Sequence, residues 1–246
     1  MWTYPKIIAH RGGGTLAPEN TLAGIRCGLA HGFYAVEFDV MLSADEVPVL
    51  MHDPRGGRTV PGRRCVSDCT AAELAAMDAG SWFGSQFAGE PPPSYLQVLE
   101  FCTQHKIWMN VEIKPVPGFE SRTGTVVAAE TLRFLASQPS AVMPLFSSFA
   151  MDALLAAKAE APHIPRGYLM DRIASDWQTL LQETGAVSLH VNHRHLSPRQ
   201  TTAIHDAGYG VFCYTVNDPI RAEEILSWGV DAFCTDRIDL IRFRSS

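Results

Sequence analysis

The 246-residue chain has no run of eighteen apolar residues, so nothing in it reads as a membrane-spanning helix. It has no block of Lys and Arg. Its twenty basic residues are scattered among twenty-six acidic ones, for a formal charge of −6. That balance argues against a nucleic-acid partner and leaves no polybasic patch for a membrane surface. No internal repeat or low-complexity segment stands out. Met1-Trp2-Thr3-Tyr4-Pro5-Lys6 runs straight into an apolar stretch, so no signal peptide is expected. Cysteine is sparse: the six residues at 27, 65, 69, 102, 213 and 234 lack the dense spacing of a disulfide framework. Cys65 and Cys69 could form half a zinc site, but no close Cys/His pair completes it. All six are read as reduced structural thiols.

With 46% hydrophobic residues, the chain can bury a substantial core, and its length fits one α/β barrel or two smaller domains. Short runs rich in Val, Ile, Leu and Ala read as buried strands: 7–9, 35–42, 107–113, 143–147, 167–170, 187–191, 210–216 and 232–234. Helical segments alternate with them: from Glu19-Asn20-Thr21 to about His31, then 95–105, 125–136, 151–160, 176–183, 198–207 and 218–228, with a short helix at the end. Asn20 or Thr21 can cap the first. Ser197 and Pro198 open the helix at 198. Pro48–Met51 follows its strand too closely for a crossover, so it reads as the return of an antiparallel hairpin. Eight strands, each preceding a helix, predict a closed (β/α)8 barrel, with an open doubly wound sheet as the alternative. Residues 54–93, rich in Gly, Pro and Arg, read as an insertion over the barrel mouth, with one weak helix near 71–77.

Charged residues border three of the first apolar runs: His10-Arg11, Glu37-x-Asp39 and His52-Asp53. Glu112-x-Lys114 repeats the pattern later. Charge in such runs is costly unless it is paired, hydrogen-bonded or bound to metal. Glu37 and Asp39 are two apart on a strand and share one face. Like charges so placed repel unless a cation or proton lies between them, and Glu112 can supply a third oxygen ligand. His10 and His52 suit an acid and a base for one reaction, with Asp53 or another carboxylate orienting one ring. Arg11 and Lys114 offer positive charge to an anionic substrate, or else balance the carboxylates. In a barrel these positions all fall at or near the strands' C-terminal ends, where chemistry sits.

Other signals are weaker. Gly12-Gly13-Gly14 could present N–H groups to an anion or simply form a tight loop, and it lacks the Lys-Ser or Lys-Thr of a nucleotide P-loop. Asn192 and Asn217 could bind hydroxyls or stabilise loop backbone. His190, His193 and His195 form a possible second metal cluster, with no carboxylate near in sequence. Trp82 and Phe83 could wall the mouth or pack the insertion onto the barrel.

His10-Arg11-Gly12 through Ala17-Pro18-Glu19-Asn20-Thr21 resembles the opening signature of the glycerophosphodiester phosphodiesterase family. Glu37-x-Asp39, His52-Asp53, Arg58-Thr59, Glu112-x-Lys114, Tyr214-Thr-Val-Asn217, Gly229-Val-Asp231 and Thr235-Asp236 follow in that family's order. His10-Arg-Gly-Gly-Gly14, Asp78-Ala-Gly-Ser-Trp82 and Leu145-Phe-Ser-Ser148 are most similar to its cytoplasmic bacterial branch. The resemblance implies hydrolysis of small-molecule glycerophosphodiesters to sn-glycerol 3-phosphate and an alcohol. It implies His10 and His52 as the catalytic acid/base pair. Glu37, Asp39 and Glu112 would hold one divalent cation, Mg²⁺ or Ca²⁺, and Arg11 and Lys114 would contact phosphate. It also implies a cytoplasmic location, without nucleic acid or membrane insertion. Pro54-Arg55-Gly56-Gly57 departs from the family's usual Asp-x-x-Leu type of sequence, which bears on the shape of the insertion and on leaving-group preference. Two other readings compete. One is a non-catalytic phosphodiester-binding barrel, which loss of a histidine or ligand would favour. The other is a barrel lyase or aldolase using Lys114 as a Schiff base.

Overall fold

The computed structural model describes residues 2–241. Its elements are β1 (Ile7–Ala9), α1 (Leu22–Ala30), β2 (Ala35–Leu42), β3 (Pro48–Leu50), α2 (Ala71–Ala75), α3 (Tyr95–Gln104), β4 (Trp108–Ile113) and α4 (Glu120–Ser137). There follow β5 (Leu145–Ser148), α5 (Met151–Glu160), β6 (Arg166–Met170), α6 (Trp177–Thr184), β7 (Ser188–Asn192), α7 (Pro198–Asp206), β8 (Gly210–Tyr214), α8 (Pro219–Ser227) and β9 (Ala232–Thr235). Eight strands run parallel in the order β1-β9-β8-β7-β6-β5-β4-β2, and pairing of Ala9 with Val36 joins β1 to β2 and closes the ring. The expected (β/α)8 barrel is present. β3 lies outside the ring, antiparallel to β2, as the hairpin reading requires.

β2 shows how period-two alternation builds two layers. Val36, Phe38 and Val40 point outward and pack with Ile25, Tyr95, Val98 and Leu99 of the surrounding helices. The intervening Glu37 and Asp39 therefore face inward. Below them, Ile8, Ala35, Trp108, Leu145, Phe212 and Ala232 form an apolar plug at the barrel's N-terminal end. The polar residues thus stand on a packed floor and open only toward the C-terminal mouth.

Local chemistry sets the helix starts. Thr21 accepts a hydrogen bond from Gly24 N–H and caps α1, and Ser197 forms a capping box with Gln200 ahead of Pro198. Asn20 is not the cap. It adopts a positive φ of 55° and turns its buried amide toward Asp39. α4 begins at Glu120, earlier than the expected 125; its first turn is polar and Phe119 at the cap position offers no side-chain acceptor, so neither apolar periodicity nor a capping residue marks the start. Of the helix expected after β9, residues 238–240 form a turn, and the remainder lies outside the described residues. No described helix is long and apolar enough to cross a membrane.

The segment 54–93 has a small core of its own. Val60, Cys65, Val66, Cys69, Leu74 and Ala79 pack on Met41 of β2, on Val49 and Met51 of the hairpin return and on Val116 beyond β4. All six cysteines are unpaired, and no cluster of three metal-ligating side chains among the described residues includes Cys65 or Cys69.

Candidate active site

A cavity of about 220 Å³ opens at the barrel mouth. His10, Arg11, Glu37, His52, Glu112 and Lys114 all line it, so the fold unites residues that lie more than a hundred positions apart. Each arrives by a separate route. His10 directly follows β1. β2 carries Glu37 and Asp39, and the hairpin return brings back His52 just after Met51, whose N–H bonds Asp39 C=O at 3.2 Å. Register sets Glu112 of β4 opposite Asp39, and Lys114 N–H bonds Val40 C=O at 2.9 Å. Gly12 lets the loop after β1 lie against α1: it has φ +94°, and a Cβ there would sit 2.8 Å from Ile25 N. The triple glycine is therefore a tight loop packed on a helix.

Carboxylate oxygens of Glu37, Asp39 and Glu112 come within 4.8 Å of one another. Burial raises Glu37 to about 7, and nearby Asp39 adds to the rise despite His10 and Arg11. Burial also pushes Glu112 well above the usual range, again with Asp39 contributing. Burial opposes the charge on Asp39, but Lys114 and Arg11 outweigh it and hold this carboxyl below its ordinary value. Lys114 Nζ lies 3.2 Å from Asp39 Oδ1 and 3.8 Å from Glu112 Oε1. Asn20 donates to Asp39 Oδ2 at 2.8 Å and accepts from Asp39 N–H at 3.0 Å. Three carboxylates crowded this closely are the oxygen donor set that a hard divalent cation takes, and such an ion would relieve their mutual repulsion.

The two histidines are held in matching ways. His10 Nδ1 shares a 2.6 Å hydrogen bond with Asp236, and His52 Nδ1 shares one of 2.7 Å with Asp53. Each ring thus has Nε2 left for the cavity, and His10 Nε2 stands 3.7 Å from Glu37. Burial works against the His10 imidazolium, but Asp236 and Glu37 raise its pKa overall. Burial lowers that of His52, assisted by Arg11, and Asp39 and Asp53 only partly offset it. Asp53 itself is brought down to about 2, because Arg58 and His52 overcome its burial.

A chain of ion pairs ties these groups together. Arg58 grips Asp53 at 2.6 Å and Glu19 at 2.6 and 2.8 Å, and Glu19 accepts from Arg11 at 2.9 Å. Arg11 Nε reaches within 3.4 Å of Asp39 without hydrogen-bond geometry. Sequence reasoning assigned no role to Glu19, Arg58 or Asp236. Asp236 was detectable as an acid directly after the last barrel strand. The Glu19–Arg58 pair crosses thirty-nine positions, and no local pattern announces it.

The remaining candidates resolve as structure. Asn217 donates to Asp236 Oδ2 and accepts from Asp236 N–H, both at 2.8 Å, so it steadies the carboxylate that holds His10. Asn192 caps the turn at 193–195 and bonds Asp171. His190 is wholly buried and stacks on Phe212 at 4.4 Å, whereas His193 pairs with Arg221 and His195 lies near Asp171. The three histidines do not converge on a metal site. Trp82 is 43% exposed and contacts Phe83, with Nε1 donating to Ala79 C=O.

A family model described as the glycerophosphoryl diester phosphodiesterase family matches residues 10–240. The chain belongs to this family. As a member of the glycerophosphoryl diester phosphodiesterases it is an enzyme, a phosphodiesterase built on a (β/α)8 barrel. A glycerophosphodiester phosphodiesterase of Caldanaerobacter subterraneus is 32% identical over 235 residues, covering 94% of this chain and 93% of its own length. Another, from Bacillus subtilis, is 27% identical over 247 residues, covering 95% and 84%. Among solved structures, an Oleispira antarctica phosphodiesterase in complex with the product sn-glycerol-3-phosphate superposes with a TM-score of 0.88. It is 38% identical and covers 94% of this chain and 93% of its own.

Proposed function

We propose that this cavity hydrolyses glycerophosphodiesters to sn-glycerol 3-phosphate and an alcohol, with His10 and His52 as acid and base. The observation that carries the reading is the matched pair of histidines. Each has Nδ1 tied to its own carboxylate, and both line one cavity with Glu37 and Glu112, which cluster with the more deeply buried Asp39. The product bound by the Oleispira antarctica relative supports the substrate class.

Glu37, Asp39 and Glu112 would hold one divalent cation, Mg²⁺ or Ca²⁺, which when bound stabilises negative charge on the phosphoryl oxygens. Arg11 and Lys114 add fixed positive charge at the same mouth, where a diester anion gains more charge as it reacts. One histidine withdraws a proton at Nε2 from the attacking hydroxyl, and the other delivers a proton from Nε2 to the leaving alcohol. Asp53 and Asp236 keep both rings in the required tautomer. His10→Ala and His52→Ala should each lower kcat by at least about a hundredfold with the fold retained. Glu37→Gln, Asp39→Asn and Glu112→Gln should weaken divalent-ion binding, and chelation should abolish hydrolysis of glycerophosphocholine. Near-normal turnover in either histidine variant removes that residue from the mechanism, and turnover after thorough chelation removes the cation.

The segment 54–93 is proposed as the cover that sets head-group tolerance. Its support is Arg58, which reaches from that segment to Asp53 and Glu19. Trp82→Ala should alter the KM ratio of choline, ethanolamine and glycerol diesters while metal affinity stays unchanged. Unchanged ratios would dismiss the cover. The six unpaired thiols suit a reducing compartment, so the proposed location is the cytoplasm, which cell fractionation tests.

A further inference from the structure

Among the described residues, six enclosed side-chain polar atoms have no hydrogen-bond partner within the protein. Three of them, Arg11 Nε, Asn110 Oδ1 and Ser147 Oγ, belong to residues that line the active-site cavity. A buried polar group left unpaired loses its hydration without compensation, so clustering at one cavity marks where a ligand completes the bonding. Arg11 serves the phosphate in the reading above. Asn110 and Ser147 have no assignment there.

Their placement is specific. Asn110 lies two residues before Glu112 on β4, so it shares the inward face and sits one step closer to the apolar plug. It pairs in register with Glu37, and Ser147 of β5 pairs with Glu112. Both are nearly fully buried, at 2% and 0% exposure. Leu169 and Phe212 line the same cavity. The deep end therefore combines two orphaned polar groups with apolar wall.

The chemistry of the two atoms narrows the ligand. An amide oxygen only accepts, so a deprotonated phosphate oxygen cannot satisfy Asn110 Oδ1. A ligand O–H can. The serine hydroxyl can donate back to the same ligand oxygen. Leu169 and Phe212 suit the C–H groups of a short carbon chain. We infer that Asn110 and Ser147 form a hydroxyl receptor for the polyol half of the substrate, the half retained with the phosphate. They thereby select phosphoesters of hydroxylated alcohols over deoxygenated ones. The inference rests on the active-site reading of the cavity and adds to it a source of specificity. A site built to bond a hydroxyl rejects the analogue lacking it, because its own polar groups then stay unpaired.

The test compares sn-glycerol 3-phosphate with n-propyl phosphate, which lacks both hydroxyls. Binding is measured by calorimetry with the divalent ion present, on the full chain and on Ser147→Ala, Asn110→Leu and His52→Ala. The unaltered chain should bind the glycerol ester about tenfold to a hundredfold more tightly than the propyl ester. Ser147→Ala and Asn110→Leu should each shrink that preference by about tenfold. They should do so by weakening the glycerol ester while leaving the propyl ester within about twofold. The two variants remove different groups, so if one fails to fold the other still decides. A preference unchanged in the folded variants, or an equal loss for both esters, overturns the inference. So does weakened binding of Mg²⁺ or Ca²⁺ to Asn110→Leu without any phosphate ester, since the amide would then be a cation ligand. Failure of the underlying reading looks different. In that case neither ester binds the unaltered chain, and His52→Ala hydrolyses glycerophosphocholine at the original rate.

Discussion

Asp236 shows how much a single side chain outside the obvious motifs can control. Its carboxylate holds His10 Nδ1 at 2.6 Å, and Asn217 holds the carboxylate in turn. Asp236→Asn keeps the shape but removes the charge and can present an amide N–H to the ring, which favours the opposite tautomer. The expected result is a fall in kcat of about tenfold or more, with KM for glycerophosphocholine and the melting temperature nearly unchanged. A merely structural role would lower the melting temperature and spare kcat. The sequence displayed Asp236 and the residues of the acidic cluster plainly. It did not show that Glu19 joins Arg58 and Asp53 in one ion-paired chain, because Glu19 lies on the loop after β1, thirty-nine positions from Arg58, and only the closed barrel brings the two loops together.

Helix α4 and helix α5 meet at Gly124, where magnitudes decide the effect of a substitution. A Cβ built there would lie 2.2 Å from Ala153 C=O, which belongs to the backbone of α5. Alanine in a helix interior gains about 1 kcal/mol over glycine. The clash is with backbone and cannot be relieved by a side-chain rotation, so the helices must separate, and overpacking costs about 1–3 kcal/mol. Gly124→Ala should therefore destabilise the protein, with a lower urea midpoint and an unchanged slope. A rise in the midpoint would show that α4 and α5 are not held this closely. The alternation of strand and helix was legible at this scale, including the β2–β3 hairpin and the Ser197–Pro198 start of α7. The first turn of α4 was not, because Glu120, Ser121 and Arg122 carry no apolar periodicity.

For the whole molecule, His190 couples stability to pH. It is enclosed in the barrel interior against Phe212, and a Cβ on Gly167 would sit 2.2 Å from its Nε2. Burial lowers its pKa to about 3, against an ordinary value of 6.5. Between those values the unfolded chain binds a proton that the folded chain refuses, so this residue's contribution favours unfolding as pH falls. It is without effect well above pH 6.5 and grows by about 1.4 kcal/mol per unit below it. Between pH 7 and pH 5 the cost is about 2 kcal/mol. Glu37, raised to about 7, acts in the opposite direction over part of the same range, so the comparison must be with a variant. His190→Gln should be less stable at pH 7 through lost stacking, but its stability should fall less steeply toward pH 5. Parallel curves in urea for the two proteins would refute the assignment.

The chain's own text determined which residues could carry chemistry and the kind of fold that would present them. Charged residues at the borders of short apolar runs are costly enough that their presence implied a site, and period-two alternation put Glu37 and Asp39 on one face. Strand–helix alternation implied a barrel whose strand ends converge. Tertiary structure alone decided the pairings. It assigned Asp236 to His10, turned Asn217 from a candidate hydroxyl contact into a support, dispersed His190, His193 and His195, and exposed Asn110 and Ser147 as unpaired groups within the cavity. The physical reason is that propensity and periodicity act over a few residues. Hydrogen-bond partnership depends on distances of about 3 Å, which only closure of the barrel establishes between residues as far apart as His10 and Asp236, 226 positions along the chain.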